Sequence, residues 1–184
     1  EGADFRGHWA FNPVRVTTPP KVKGESWVVN EIDRFILSRL EREGLKPSPE
    51  ADRERLIRRV SLDLTGLPPT PQQIAAFVND PSESAWRELV EQLLAAPAYG
   101  ERWARLWLDV ARYAEDQAHI VGEDASLTYP NAWHFRDWVI RALNQDLSYA
   151  QFIRLQLAAD LYEGSESANL AALGFLGLGP KYYD

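Results

Sequence analysis

The sequence predicts an all-α fold: an irregular bundle of seven or eight helices around one long central helix, with an extended N-terminal arm. Three observations carry this. Apolar residues recur at spacings of three and four, as the helical period requires. Helix starts and stops are punctuated throughout, with Asn30, Thr70-Pro71 and Ser148 as caps and Gly44 and Gly66 as terminators. No segment has the strict alternation of a half-buried strand. The 184 residues suit a single helical domain, 1–184, with 1–29 as the arm and 30–184 as the body. The chain has no methionine and opens on Glu1-Gly2-Ala3-Asp4, so it is expected to be a processed product or an excised segment of a larger polypeptide.

Within the arm, Pro13, Pro19 and Pro20 fix φ and rule out a helix, while Trp9, Phe11 and Trp27 are anchors. Asn30 caps a helix carrying Ile32, Phe35, Ile36, Leu37 and Leu40, which Gly44 ends. A second helix spans about 50–64, with Leu56, Ile57, Val60 and Leu64 on one face, and Thr65-Gly66-Leu67-Pro68-Pro69 stops it. Thr70-Pro71-Gln72-Gln73 is a capping box with proline at the first helical position. Asp80-Pro81 begins the next helix, with Trp86, Leu89, Val90, Leu93 and Leu94 expected inward, closed by Pro97. The longest helix is expected over about 98–118, with Tyr99, Trp103, Leu106, Trp107 and Val110 on its apolar face. Residues 119–130 read as a loop, 131–144 as a helix, and Ser148-Tyr149-Ala150-Gln151 as a capping box leading a helix to about residue 162. A linker at 164–167 and a short apolar helix over 170–178 follow.

Composition excludes several functions. The net charge of −7 argues against a general nucleic-acid binder, which needs clustered cations. The basic run Arg53, Arg55, Arg58, Arg59 is interleaved with Glu50, Asp52 and Glu54 and reads as a solvated face. Without cysteine there is no disulfide, thiolate metal site, cysteine nucleophile or thioether-linked haem within the chain. No apolar run has the length of a membrane span. Ser126 and Thr128 lack a histidine at a recognisable spacing, and no strand precedes Gly174, Gly177 and Gly179, so neither a nucleophilic triad nor a phosphate cradle is indicated.

The long helix carries a second stripe, Glu101, Arg105, Asp109, Arg112, Asp116, alternating in sign at spacings of three and four. If partly buried, these charges require partners, for which Arg136, Asp137 and Asp160 are available. Glu101, Arg105, Asp109, Arg112, Tyr113, Glu115, Trp133, Arg136, Asp137 and Asp160 are therefore the candidates for a binding cleft or a structural ion-pair network. No catalytic residue is assigned. Asp116, His119, Glu123 and Asp124 are weak metal candidates, because oxygen donors suit calcium or magnesium, but their spacing matches no EF-hand or zinc signature. A solvated acidic loop is the plainer reading. Asp109 with Glu115 or Glu123 could form a glycosidase pair only at suitable separation across a sugar site. His8 and His134 each adjoin a tryptophan, which fits packing, and the 21 aromatic residues are foremost core anchors.

Several dense strings stand in order along the chain: His8-Trp9-Ala10-Phe11, Ile32-Asp33-Arg34-Phe35-Ile36, Leu56-Ile57-Arg58-Arg59, Asp63-Leu64-Thr65-Gly66-Leu67-Pro68-Pro69-Thr70 and Tyr99-Gly100-Glu101-Arg102-Trp103-Ala104-Arg105. Trp107-Leu108-Asp109-Val110-Ala111-Arg112-Tyr113-Ala114, Arg136-Asp137-Trp138-Val139-Ile140 and Gly174-Phe175-Leu176 follow. Over nearly the whole chain, and in this order, these strings resemble a planctomycete family, the cytochrome-C-associated domain of unknown function numbered 1549. Two departures are Leu106, where the family often has histidine, and Ala159, where it often has glycine before Asp160.

The resemblance implies a secreted or periplasmic module whose partners are other domains of the same polypeptide. It implies c-type haem only downstream of residue 184, with no cofactor in this segment, and it carries no settled activity. The leading expectation is a helical module that supports or docks a redox centre attached outside the segment. The rivals are a polysaccharide-binding or polysaccharide-processing module and a purely structural interaction domain. Nucleic acid and a membrane span are not expected.

Overall fold

The computed structural model describes residues 10, 12–115, 129–162 and 166–178. Among the described residues there are seven α-helices and two 3₁₀ segments, and no strand. The all-α expectation holds. Contacts divide the chain into two units, Glu1–Glu50 and Ala51–Asp184.

In the first unit, described residues 12–24 carry no regular structure, as their prolines require, and a 3₁₀ turn spans Glu25–Trp27. Helix α1, Glu31–Arg42, starts where Asn30 accepts from the Ile32 and Asp33 amides while Asp33 accepts from the Asn30 amide. This reciprocal box satisfies amides that the helix itself leaves without partners. Gly44, at φ 68°, ends it. Glu41 Oε1 accepts from the Lys23 and Gly24 amides, and Arg34 pairs with Glu25, so the segment before α1 is tied along the helix. Leu37 is the buried residue of this helix, and a Cβ on Gly24 would sit 3.2 Å from it.

The second unit begins with α2, Arg53–Thr65, capped by Asp52, and ended by Gly66 in the left-handed conformation at φ 72°. Helix α3, Pro71–Asn79, has the Thr70–Gln73 box and proline at its first position, as its sequence predicts. Arg53 closes the other end of α3. Its Nε and Nη2 donate to the Phe77 carbonyl at 3.0 and 2.7 Å, and its guanidinium lies 3.9 Å from the Phe77 ring centroid. Helix α4, Ala85–Leu94, completes a core of Ile57, Phe77, Ala85, Leu89 and Leu93.

Helix α5, Pro97–Ala111, is the longest described helix and packs against both α2 and α6, Ala132–Asn144. A second core forms around α6 from Ala104, Phe135, Trp138, Val139, Ala142, Phe152, Leu155, Ala159 and Ala172. A 3₁₀ segment, Ser167–Gly177, packs on both α6 and helix α7, Tyr149–Ala158, and Phe152 of α7 stacks on Trp138 with ring centroids 5.2 Å apart. Two indoles fasten this layer: Trp138 Nε1 donates to Asn169 Oδ1 at 3.0 Å, and Trp107 Nε1 donates to Gln156 Oε1 at 3.0 Å. Gln156 is fully buried and its amide also donates to the Phe152 carbonyl, so its polar group is satisfied on both sides.

Small residues let α5 approach α6. The buried residues of α5 are Gly100, Ala104 and Ala111. A Cβ on Gly100 would fall 2.6 Å from the Asn144 side-chain atoms. In the space that the missing Cβ leaves, Asn144 Oδ1 accepts from the Gly100 amide at 2.8 Å and Nδ2 donates to the Pro97 carbonyl at 3.2 Å. Ala96 has no side-chain acceptor, so the cap of α5 comes from the end of α6. A Cβ on Gly66 would lie 2.9 Å from Arg102, whose aliphatic stem covers the turn after α2.

Several sequence expectations are corrected. The long helix ends at Ala111, not near residue 118, because Arg112 turns left-handed, at φ 59° and ψ 39°. Its apolar face is rotated: Trp103 is 39% exposed, and Leu106 and Val110 face solvent, while the small residues lie inward. Shape decides this orientation, since close approach to α6 gains more contact than burying an indole at that position. Trp86 and Leu94 of α4 are likewise exposed, although Trp86 stays 6.1 Å from Phe77. Helix α7 stops at Ala158, before residue 162, and Ser148 makes only the forward half of its box. The apolar segment at the end is 3₁₀, with Gly174 set against Phe135 where a Cβ would come within 2.7 Å.

Two stability predictions follow from this packing. Trp138→Ala is expected to cost roughly 3–5 kcal/mol, and Trp103→Ala only about 1 kcal/mol, in denaturant unfolding. Gly100→Ala gains up to about 1 kcal/mol of helix propensity but loses the Asn144 cap and overpacks the joint, costs of about 1–3 kcal/mol each. A net loss of about 1–5 kcal/mol is expected, read as a lowered urea midpoint.

Candidate functional site

The site is built by the way α5 ends. Arg112 takes the left-handed conformation, its amide donates to the Asp109 carbonyl at 3.2 Å, and the Tyr113 amide reaches back to the Leu108 carbonyl at 3.0 Å. This is a Schellman-type closure with arginine where glycine is usual. It turns the chain so that Tyr113 packs on Phe135, with ring centroids 6.2 Å apart.

Tyr113 Oη donates to Glu115 Oε1 at 2.9 Å. Arg136 Nη1 pairs with that same carboxylate oxygen, and Arg136 Nε donates to Asp137 Oδ1 at 3.0 Å. One guanidinium is thus held by two carboxylates, one from the chain beyond α5 and one from its neighbour on α6. All three charged side chains remain more than a third exposed, so the cluster orients groups more than it stabilises the fold. Hydrogen bonding to Asp137 raises the Arg136 pKa above its usual value. Burial, followed by donation to Glu115, pushes Tyr113 up to about 12. The phenol therefore stays protonated and serves as a hydrogen-bond donor.

Beside this cluster lies a groove of about 310 Å³ between α5 and α6. Ala104, Leu108 and Ile140 form its apolar floor; Glu101, Arg105, Asp109, Tyr113 and Arg136 supply its polar rim. Of the ten sequence candidates, five line the groove and two more, Glu115 and Asp137, hold Arg136 in place. Arg112, Trp133 and Asp160 do not line it. Trp133 stacks on His134, with centroids 3.6 Å apart.

Of the i,i+4 spacings along the stripe, Glu101–Arg105 and Arg105–Asp109 form no ion pair, and Arg112–Asp116 reaches outside the described residues. Among the described residues, no ion pair joins Glu101, Arg105, Asp109 or Arg112. These residues are exposed, and a pair there gains only about 0.2–0.5 kcal/mol, too little to hold two long side chains together. Asp116, His119, Glu123 and Asp124 lie outside the described residues, as does His8. Among the described residues no group of three or more histidine or carboxylate side chains is placed to hold a metal ion. Sequence reasoning missed the floor residues. The signal for one of them was Ala104, four positions after Gly100 on the same helix face.

An all-helical module with a mixed-charge groove between two of its helices is what the fold and site define. The chain belongs to the family described as PSCyt2, a protein of unknown function (DUF1549), whose model matches residues 31–183. That match begins at the first residue of α1. No curated protein and no solved structure matches the chain. No described helix is long and apolar enough to cross a membrane.

The Tyr113 environment gives a pH dependence with a defined sign. A folded-state pKa raised above the unfolded value near 10 contributes stability that is fully present below that value. It is lost as pH climbs through the folded pKa of about 12. Tyr113→Phe is expected to remove the latest-titrating component of the tyrosinate absorbance curve, and to flatten the fall in stability above pH 10.

Proposed function

We propose that the chain is a helical module of a secreted or periplasmic, cytochrome-c-linked multidomain protein, supporting or docking a redox centre carried elsewhere in the same polypeptide. Membership of the PSCyt2 family is the observation that carries this reading. The sequence has no cysteine, so thioether-attached haem belongs to another part of such a polypeptide, expected downstream of residue 184. The groove chemistry is in keeping with docking. Its strongly shifted group, Tyr113, is shifted away from neutral pH and suits hydrogen bonding more than proton transfer.

Glu101 and Asp109, two carboxylates in one groove, favour a polysaccharide-binding module as the second reading. They are eight positions apart on one helix, about 12 Å along its axis, so their backbones alone do not set the carboxyl separation of about 6.5–9.5 Å that inverting hydrolysis uses. Glu115 is already engaged by Tyr113 and Arg136. The reading is therefore one of sugar binding.

The deciding experiment is visible absorbance of the full-length polypeptide, followed by carboxylate-to-amine cross-linking. A Soret band is expected, together with cross-links from the haem-bearing domain to α5 or α6. Absence of the band, or of any cross-link to residues 31–183, overturns the redox reading. Retention on a glycan array that Asp109→Ala abolishes would install the polysaccharide reading in its place.

A further inference from the structure

The α5 edge of the groove presents Glu101, Arg105 and Asp109 at successive four-residue steps, so one line of about 12 Å reads negative, positive, negative. All three are exposed and, among the described residues, none is ion-paired. The facing cation behaves differently: Arg136 is ion-paired with both Glu115 and Asp137 through Nη1 and Nε. The groove therefore joins a charge-paired wall to an unpaired one, over an apolar floor of Ala104, Leu108 and Ile140.

The order of signs selects the occupant. The pattern reads the same in both directions, so an antiparallel pairing of two α5 helices centred on Arg105, or a parallel pairing in register, sets like against like. Antiparallel pairings offset by one four-residue step do match opposite charges, Glu101 with Arg105 or Arg105 with Asp109, but each leaves one carboxylate of the line unmatched, so a second copy complements this face only in part. A small cation is a poor fit as well, because the two carboxylates are too far apart to share it and Arg105 stands between them. The complement is a second helix with positive, negative and positive side chains at four-residue spacing, its apolar residues resting on the floor.

We propose that the α5–α6 groove docks a partner helix carrying this positive-negative-positive register. The proposal rests on the docking reading above and supplies its partner chemistry. Electrostatic register sets specificity here, and of the floor only the half-buried Leu108 and Ile140 offer apolar contact, since Ala104 is buried.

Two alanine-based helical peptides test it. One bears Lys, Glu and Lys at four-residue spacing with leucines on the adjoining face; the other has Glu, Lys and Glu in their place. Calorimetric titration is expected to show the first binding at least about tenfold more tightly, with the preference shrinking as salt is raised. The Glu101→Lys/Arg105→Glu/Asp109→Lys variant is expected to invert the preference, a gain of binding that only folded protein can show. The single Arg105→Glu variant is expected to narrow it, with helicity checked by circular dichroism. Equal binding of the two peptides, binding of neither, or an unchanged preference in the folded triple variant overturns the proposal. These readouts need no haem, so a missing Soret band would remove the redox reading and leave the docking register standing.

Discussion

The contact on which the second unit depends is the approach of α5 to α6 at Gly100. There the missing Cβ leaves space that the Asn144 side chain occupies, bonded to both the Gly100 amide and the Pro97 carbonyl. The distance between the two helices, the buried face of α5 and the direction in which α5 presents its charges are all set by that one packing choice. With Gly100 and Ala104 inward, Glu101, Arg105 and Asp109 fall at the groove. An indole inward would have turned the stripe away from α6.

The same joint links two cores. On one side α5 meets α2, where the Arg102 stem lies over the left-handed turn at Gly66. On the other it meets α6, whose Trp138, Phe135 and Val139 are buried under α7 and the 3₁₀ segment. The strings that carry the family resemblance thus acquire physical content. In Tyr99-Gly100-Glu101-Arg102-Trp103, the glycine admits Asn144, the arginine roofs a turn, and the glutamate faces the groove. In Asp109-Val110-Ala111-Arg112-Tyr113, the arginine ends the helix and the tyrosine folds back onto Phe135.

Local features were the most legible in the sequence. Asn30, Thr70-Pro71 and Gly66 act where their chemistry says they should, because a cap is a contract between neighbours in the chain. What escaped was the facing of α5. Trp103 is the largest apolar residue of its turn, and hydrophobic periodicity weights it accordingly. The packed surface of α5 instead follows its smallest residues, since what fits between two helices depends on the other helix. On α4 the expected Leu89 and Leu93 are buried, and only Trp86 and Leu94 turn outward. The end of α5 escaped for a related reason: Arg112 in a left-handed conformation leaves no glycine to read. Within the site, Tyr113, Arg136 and the alternating stripe were readable as residue types. The division into a paired wall and an unpaired one was not, because Glu115 and Arg136 stand 21 positions apart.

The Asn144 cap also bears on the order in which the molecule assembles. A helix start closed by an adjacent serine or aspartate can form as a local event. The first turn of α5 is closed by a side chain 44 positions further along, so it reaches its final state only once α6 has arrived. The entropy of closing that loop falls due before the bond rewards it, which makes the opening turn of α5 a late and reversible piece of the folded state.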